Sequence, residues 1–382
     1  MAPAGPLQPM KIGVPTEIKP QENRVALTPA GADRLVAAGH RVVVQAGAGV
    51  NSGFADDDYV GAGAAILPDA DAVFGDAEMI VKVKEPQPVE WERMRPGQIM
   101  WTYLHLAAER PLTEGLMATG SHCFAYETLE VDGTLPLLTP MSEVAGRMAI
   151  QAGAKVLERH QGGLGILLGG VPGVKRAKVL VLGGGVVGTQ AAHMACGLGA
   201  DVTILDIDLD RLRYLDDVMP KNCRTVFSTP YSVREHLRHA DLVVGAVLIP
   251  GGAAPKLVTK EDLKLMKKHS VIVDVAVDQG GCVETCRPTT HAEPTFEIED
   301  VLHYCVANMP GAVPQTSTVA LTNATLAWTL KLAEWGASRA VLESDAMAKA
   351  ANIIGGKLCY PAVAQAFDME CHDARGLARE LG

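Results

Sequence analysis

The sequence predicts an α/β protein of two doubly wound domains, in which a central domain is inserted into a discontinuous outer one. Short apolar, β-branched runs alternate with helical segments along the 382 residues, which indicates parallel sheets. A chain of this length exceeds one ordinary core and favours two domains. Two long apolar helical segments bracket the second half of the pattern and would link the domains. We expect one domain at 1–138 with 312–382, and the other at 139–311.

The first series of elements contains one well-marked helix among several strands. Thr28 is the predicted N-cap, Pro29 occupies the first helical position, and Gly39 marks the stop. The predicted strands of this series are 10–15, 41–45, 78–84, 98–105 and 122–129.

The second series opens with a long helix predicted at 141–160, for which Ser142 is the expected cap. A glycine-rich segment at 161–173 follows, and a second long apolar helix is predicted at about 316–335. The predicted strands between them are 178–185, 201–206, 224–228, 241–247, 270–277 and 303–308.

Composition excludes several classes of function. The net charge of −10, without any run of Lys or Arg, argues against a nucleic-acid surface. No apolar run reaches the roughly 18 residues of a membrane span, and the first nine residues do not form a secretory signal. The eight cysteines include no Cys-x-x-Cys pair, which favours free thiols in the cytoplasm over metal ligands or disulfides. We therefore expect a cytoplasmic protein without a metal, a membrane or a nucleic-acid partner.

The strongest motif is the glycine-rich turn after the predicted strand at 178. Gly183, Gly185 and Gly188 fit Gly-x-Gly-x-x-Gly, an alanine-rich helix follows, and the next strand ends in Asp206, at about the 20-residue interval of a Rossmann-like dinucleotide site. Gly183 would permit the tight turn, Gly185 the approach of a pyrophosphate to the backbone, and Gly188 the packing of helix on strand. The alternative is a glycine-rich turn that binds no nucleotide.

The residue at the end of the following strand indicates which nucleotide would bind. The Asp206 carboxylate can accept hydrogen bonds from ribose hydroxyls and would repel a 2′-phosphate, so NAD is favoured over NADP. Arg211 lies close by in the sequence and weakens that preference slightly.

Ionisable residues follow several predicted strands, where ligands of α/β sheets bind. Arg24 follows the first strand, Lys84 and His105 end two others, and Asp278 follows the strand at 270–277. A guanidinium and an ammonium suit a small carboxylate, and an imidazole with a carboxylate suits proton transfer near neutral pH. A cleft between two such domains would bring the four residues together near the nicotinamide.

Each of these residues also has a purely structural interpretation. Arg24 can be a solvated loop charge, Lys84 can reach water or pair with Glu85, His105 can be a core histidine, and Asp278 can cap a turn at Gly280–Gly281. Lys82 shares the strand face of Lys84 but lies two residues deeper. We expect Lys82 to be a structural charge that needs its own carboxylate partner or a route to water.

From Met10 to about Phe367 the sequence resembles the alanine dehydrogenase family, which shares its fold with the NAD-binding subunit of transhydrogenases. The resemblance is carried by the runs GVPTEIKPQENRVALTP, VKVKEPQ, TYLHLA, PMSEVAGRMA, GGVPGV, LGGGVVG, VDVAVDQGGC, RPTTHAEPTF and YCVANMPGAVPQTST. It implies reversible oxidation of L-alanine with NAD and water to pyruvate, ammonium and NADH. The sequence departs from the family in the nine residues before Met10 and in Gly184, where other members often have alanine.

The resemblance also implies roles for individual residues and a homo-oligomer, usually a hexamer. Arg24, Lys84 and Asn308 would bind substrate, and His105 and Asp278 would transfer protons. The residues implied to line the cofactor are Ser142, Gly183, Gly185, Val187, Gly188, Asp206, Arg211, Ser228, Val247, Leu248, Asp278 and Met309.

Three alternative functions remain open at this stage. A transhydrogenase subunit would move hydride between nucleotides, and a saccharopine-type or other amino-acid dehydrogenase would take a different substrate. The third is a silent NAD-binding regulatory protein, against which the intact Arg24, Lys84, His105 and Asp278 argue.

Overall fold

A computed structural model describes residues 9–247 and 254–381, with Asp278 and Gln279 described by their main chain. The chain divides into two compact units: residues up to 141 with those from 313 onward form the first, and 142–312 the second. Across these described residues, no helix has both the length and the apolar composition needed to cross a membrane.

Strands are numbered here in chain order across both units. They are β1 Lys11–Val14, β2 Arg41–Gln45, β3 Ala65–Leu67, β4 Met79–Val81, β5 Ile99–Thr102, β6 His122–Ala125, β7 Lys178–Leu182, β8 Asp201–Asp206, β9 Cys223–Phe227, β10 Leu242–Gly245, β11 Val271–Asp274, β12 Thr295–Ile298, β13 Val301–Tyr304, β14 Ala351–Ile354 and β15 Lys357–Leu358.

The α-helices are numbered in the same way. They are α1 Pro29–Ala37, α2 Asp56–Gly61, α3 Ala70–Asp76, α4 Pro88–Trp91, α5 Arg110–Ala118, α6 Thr139–Val156, α7 Val186–Gly197, α8 Leu209–Val218, α9 Pro230–Leu237, α10 Pro314–Glu343, α11 Asp345–Ala350, α12 Pro361–Phe367 and α13 Ala374–Leu381.

Both units contain the same parallel strand order. The first sheet runs β15-β14-β6-β5-β4-β1-β2-β3 and the second β12-β13-β11-β10-β7-β8-β9, so each contains six parallel strands in the doubly wound order 3-2-1-4-5-6. The order reverses between β1 and β4 in the first unit and between β7 and β10 in the second. These two switch points are where such sheets bind ligands, beyond the carboxyl ends of the strands. The predicted fold class is confirmed.

The alternating pattern predicted parallel sheets, but neither sheet is wholly parallel. Strands β12, β14 and β15 pair antiparallel with their neighbours. The sequence analysis did not predict them or the short parallel strand β3, because three of these four lie at sheet edges, where the apolar signal is weak.

Most predicted strands end earlier than expected, and beyond three of them a carboxylate accepts hydrogen bonds from the main chain. Glu17 accepts from the amide of Val83, past the end of β4 at Val81. Glu127 accepts from the amides of Leu104 and His105, past the end of β5. The predictions of strands at 78–84, 98–105 and 270–277 were therefore wrong at their carboxyl ends, as were those at 122–129, 178–185 and 303–308.

The third of these strands turns into a short 3-10 helix. Asp274, the last residue of β11, accepts a hydrogen bond from the amide of Ala276 and caps the 3-10 helix Val275–Gln279. Asp278 therefore lies in a helical turn four residues past the strand, whereas it was expected directly after the strand.

The helix predictions are partly confirmed. Thr28 caps α1 by accepting from the amide of Gly31, and Pro29 is its first residue. Ser142 was expected to cap the long helix but lies inside α6, which begins at Thr139 and ends at Val156. The second long helix extends beyond 316–335, with an interruption at Gly336, whose φ is 64°.

Candidate functional site

The switch point of the first unit, which we call the charged edge, carries a dense set of charged side chains. The loop after β1 supplies Glu17, Lys19, Glu22 and Arg24, the segment after β4 supplies Lys82, Lys84 and Glu85, and the turn after β5 supplies His105. Because these three strands are adjacent in the sheet, their carboxyl ends place the charges together. Most of the acidic members are buried, so each requires a specific partner.

Arg24 is held by a carboxylate two residues away. Its guanidinium donates from Nε and Nη2 to the two oxygens of Glu22, at 2.7 and 2.5 Å, while Nη1 lies 3.0 Å from the sulfur of Met141. Arg24 is only 2% exposed, so the interpretation as a solvated loop charge is wrong. Burial lowers the pKa of Arg24, but the bidentate pair with Glu22 outweighs it and keeps the group charged.

Lys82 has the carboxylate partners that its depth in the strand required. Its ammonium is fully buried and lies 2.9 Å from Glu17 and 2.8 Å from Glu90. Burial lowers the pKa of Lys82, but these two carboxylates together raise it. Burial raises the pKa of Glu17. Lys82 lowers this pKa but does not cancel the effect of burial, to which the nearby Glu90 carboxylate adds. The prediction that Lys82 is a structural charge with its own partner is confirmed.

Lys84 is partly exposed and faces different groups. Its carbonyl accepts from the Thr102 hydroxyl at 3.0 Å, so its main chain is tied to β5. The neighbouring Glu85 is buried and forms an ion pair with the ammonium of Lys19. Burial raises the pKa of Glu85, but Lys84, His105 and Lys19 outweigh it and hold that pKa below its usual range. Lys84 is therefore a charge at the rim, whereas Lys82 is a charge in the core.

His105 is an exposed residue in a strained conformation, which contradicts the core-histidine interpretation. Its φ and ψ are 51° and 34°, in the left-handed region that side chains with a Cβ rarely adopt. Its ring stacks on Tyr103 at 5.9 Å between centroids. The desolvation of the ring by the surrounding protein lowers the pKa of His105, Glu127 opposes that shift, and Lys84 adds to it. A lowered pKa favours neutral imidazole, the form that accepts a proton.

The switch point of the second unit, which we call the glycine edge, is a turn that contains Gly183, Gly185 and Gly188. Gly183 has a φ of 98°, and a Cβ at Gly188 would lie 1.8 Å from the Gly183 carbonyl oxygen. A Cβ at Gly185 would meet nothing within 4 Å, and Gly185 is the N-cap residue of α7, where no side chain forms a capping hydrogen bond. The first turn of α7, at the positive end of its helix dipole, therefore has no side-chain cap. This cradle fits a pyrophosphate.

Asp206 and Arg211 both bind this glycine turn. Asp206 accepts from the Gly184 amide at 2.6 Å and from the Asp208 amide at 2.9 Å. Arg211 donates to the Gly184 carbonyl at 2.6 Å and to the Thr189 hydroxyl at 2.8 Å. The guanidinium that seemed to weaken the preference for NAD is thus engaged with the turn itself.

The structure gives positions for most of the other predicted cofactor residues and for Asn308, which was predicted to bind substrate. Ser228 follows β9 and donates its amide to the Asp206 carbonyl, and Val247 follows β10. Asn308 has a φ of 62°, and Met309 is 2% exposed. Val187 lies in the first turn of α7, and Ser142 in α6. Leu248 and the Asp278 side chain lie outside the described residues.

Sequence reasoning missed the carboxylates that organise the charged edge. Each of three carboxylates binds a partner that the sequence analysis did not assign to it. Glu22 pairs with Arg24, Glu90 pairs with Lys82, and Glu127 accepts a hydrogen bond from the His105 amide. The alternating charges in the run TEIKPQENR gave a signal for Glu22, because acid and base recur there in a loop after a strand. Glu127 gave no such signal, since its partners lie 22 residues away or more. Over the described ranges, no cluster of three or more His, Cys, Asp or Glu residues is arranged to hold a metal ion.

Comparison with known proteins identifies related sequences over almost the whole chain. Residues 13–145 match the N-terminal domain of the family described as Alanine dehydrogenase/PNT, and residues 149–361 match its C-terminal domain. The chain is 57% identical to the alanine dehydrogenase of Halomonas elongata over 369 residues, which cover 96% of this chain and 100% of that protein.

Solved structures give the same relationship. A structure of an L-alanine dehydrogenase superposes with a TM-score of 0.91 at 53% identity and covers 94% of this chain and 99% of its own. A transhydrogenase from Sinorhizobium meliloti superposes with a TM-score of 0.79 at 27% identity, and covers 92% of this chain and 99% of its own. The greater similarity on both measures lies with the first of these two proteins.

Proposed function

The chain belongs to the alanine dehydrogenase/PNT family, and we propose that it is an oxidoreductase, an NAD-dependent L-alanine dehydrogenase. It converts L-alanine, NAD and water into pyruvate, ammonium, NADH and a proton, and the reaction is reversible. The observation that carries this conclusion is the 57% identity to an alanine dehydrogenase across 96% of the chain. The lower, 27% identity to a transhydrogenase disfavours the alternative function.

The charged edge of the first unit is the proposed substrate site. Arg24 and Lys84 bind the substrate carboxylate, with the Arg24 guanidinium oriented by Glu22, and Asn308 completes substrate binding. The presence of two cations in one loop cluster, one buried and one at the rim, supports this role. Their contribution is to hold Cα in the reactive orientation, which is catalysis by positioning.

The glycine turn of the second unit is the proposed NAD site. Gly183, Gly185 and Gly188 form the pyrophosphate cradle, and Asp206 is the ribose acceptor. Bound NAD supplies the hydride acceptor for the reaction. The other residues assigned to this site are Ser142, Val187, Arg211, Ser228, Val247, Leu248, Asp278 and Met309.

His105 is the proposed general acid and base. Loss of hydride from Cα leaves a substrate iminium, to which water adds while His105 accepts the water proton. The carbinolamine then collapses to pyruvate and ammonium, with His105 returning the proton to the leaving nitrogen. Asp278 stabilises the cationic iminium and shares the proton transfer.

We further propose a homo-oligomer, a hexamer by analogy with the family, and a cytoplasmic location. Size-exclusion chromatography with light scattering measures the first property directly. A single peak at the mass of one chain would contradict it.

The function is tested by following NADH absorbance with NAD and L-alanine, and in parallel with glycine, serine and larger amino acids. Formation of NADH with alanine in preference to the others is the expected result, and no signal with alanine would contradict the function. His105→Ala and Asp278→Asn test the assigned roles. Near-normal alanine turnover in either variant would remove that residue from the mechanism.

A further inference from the structure

We propose that Glu127 is the positioning residue for His105: it fixes the main chain of that histidine and sets the charge around its ring. Glu127 lies in the 3-10 turn Tyr126–Thr128, directly after β6. The inference rests on the proposed role of His105 and adds to it a residue that the sequence analysis did not assign.

The first support is the geometry of the hydrogen bonds. Glu127 Oε1 accepts from the amide of Leu104 at 3.0 Å and from the amide of His105 at 2.6 Å, and Oε2 lies 3.2 Å from the Leu104 amide. Two successive amides can converge on one carboxylate only if the chain turns sharply there. The left-handed φ of His105 provides that turn, and it is a strained conformation that needs compensating bonds.

The second support is what Glu127 does not bind. Within the described part of the chain, no lysine or arginine lies within ion-pair distance of Glu127. Its carboxylate is committed to the His105 backbone.

The third support is the balance of charge around the imidazole. Glu127 and Glu85 favour the protonated ring, whereas Lys84 and Lys19 disfavour it, and the uncharged Tyr103 ring stacks against it. Two anions therefore oppose two cations. Loss of the Glu127 charge would leave two cations against one anion, and the imidazolium would become harder to form.

The experiment compares Glu127→Gln with Glu127→Ala and with the control Glu130→Gln. Gln keeps an oxygen that can accept the two amides but loses the charge, while Ala loses both. Glu130 lies three residues further on and pairs instead with Lys349 at 2.6 Å, so its replacement removes a nearby carboxylate that does not contact His105.

The expected result is a separation of two effects in alanine oxidation. Glu127→Gln moves the acidic limb of the kcat/KM–pH profile to lower pH by about one unit, while kcat at its optimum stays near that of the wild type. Glu127→Ala shifts the same limb and also lowers kcat by roughly tenfold or more, because the turn loses its acceptor. Glu130→Gln matches the wild type. Coincident profiles for Glu127→Gln and the wild type would overturn the inference.

A second readout does not depend on turnover. In protein labelled with 15N-histidine, the His105 signal is assigned by its loss in His105→Gln, and its pKa is measured by NMR titration. A lower pKa in Glu127→Gln supports the inference, and an unchanged pKa overturns it, whichever amino acid the enzyme oxidises. Failure to oxidise alanine would instead count against the proposed function alone.

Discussion

The two units repeat one strand order, but their switch points are made of different material. In the first unit the loops after β1, β4 and β5 bring together buried carboxylates, ammonium groups and a guanidinium. In the second unit the same position is a glycine-rich turn that leads into the first turn of α7, which has no side-chain cap. The shared scaffold fixes where a ligand can bind, and the loop residues decide which chemistry is available there.

This difference also determines how each edge should fail. The stability of the charged edge depends on ion pairs, because removal of one partner leaves the other charge unpaired in the interior. A glycine edge depends on the absence of side chains, because a single Cβ can fill the space of a main-chain contact. Substitutions in the two edges therefore separate stability, substrate turnover and NAD affinity in different ways.

The largest expected effect is in the glycine edge. Gly188→Ala places a Cβ 1.8 Å from the Gly183 oxygen, so the helix and strand must separate, and we expect a loss of about 4 kcal/mol or more in unfolding free energy. Gly185→Ala is the matched control, since its Cβ meets nothing within 4 Å. Urea denaturation measures both. Equal stability of the two variants would contradict the packing role of Gly188.

The second prediction separates the two lysines of the charged edge. Lys82→Met leaves the buried carboxylates of Glu17 and Glu90 without their cation, so the free energy of unfolding should fall by about 3–5 kcal/mol. Lys84→Met removes a rim charge, so stability should change by about 1 kcal/mol or less while alanine turnover falls about a hundredfold or more.

Urea denaturation and the NADH assay measure the two quantities for each lysine variant. If both variants lost turnover equally at equal stability, the assignment of one lysine to the core and the other to the substrate would be wrong.

A smaller effect should follow from Arg24→Lys. The ammonium cannot form both hydrogen bonds of the fork with Glu22, at a cost of about 1.5–3 kcal/mol, so KM for alanine should rise roughly tenfold to a hundredfold. Arg110→Lys is the control, because Arg110 forms an exposed pair with Glu114. A normal KM in Arg24→Lys would show that the fork does not matter for substrate binding.

The smallest prediction concerns pH. Alanine kcat should fall as pH drops through the lowered pKa of His105, because the protonated ring cannot accept a proton. The dissociation constant of NAD should stay nearly constant over the same range, since main-chain amides do not titrate there. Parallel pH dependence of both quantities would break the comparison between the two edges.

The glycine edge was predictable from the sequence because its residues lie close together in the chain. Gly183, Gly185, Gly188 and Asp206 form one strand–turn–helix–strand unit, and the packing reason for Gly188 is confirmed. The doubly wound fold class followed from the alternation of strands and helices, whereas the order of the strands was not predicted.

The charged edge was predictable only in part, because its partners are distant in the chain. Glu17 binds the Val83 amide across 66 residues, and Glu127 binds the His105 amide across 22. Periodicity therefore predicted strands that ran on to Lys84 and His105, whereas these carboxylates accept the amides beyond β4 and β5. Only the depth of Lys82 in its strand indicated that it needed a carboxylate.

The most direct test of the division between the two edges is to measure the NAD dissociation constant and alanine turnover in Lys84→Met and Gly185→Ala. Lys84→Met should bind NAD within about twofold of the wild type but lose turnover, whereas Gly185→Ala should bind NAD at least about tenfold more weakly and keep kcat near normal at saturating NAD. Equal loss of NAD binding and turnover in both variants would contradict it.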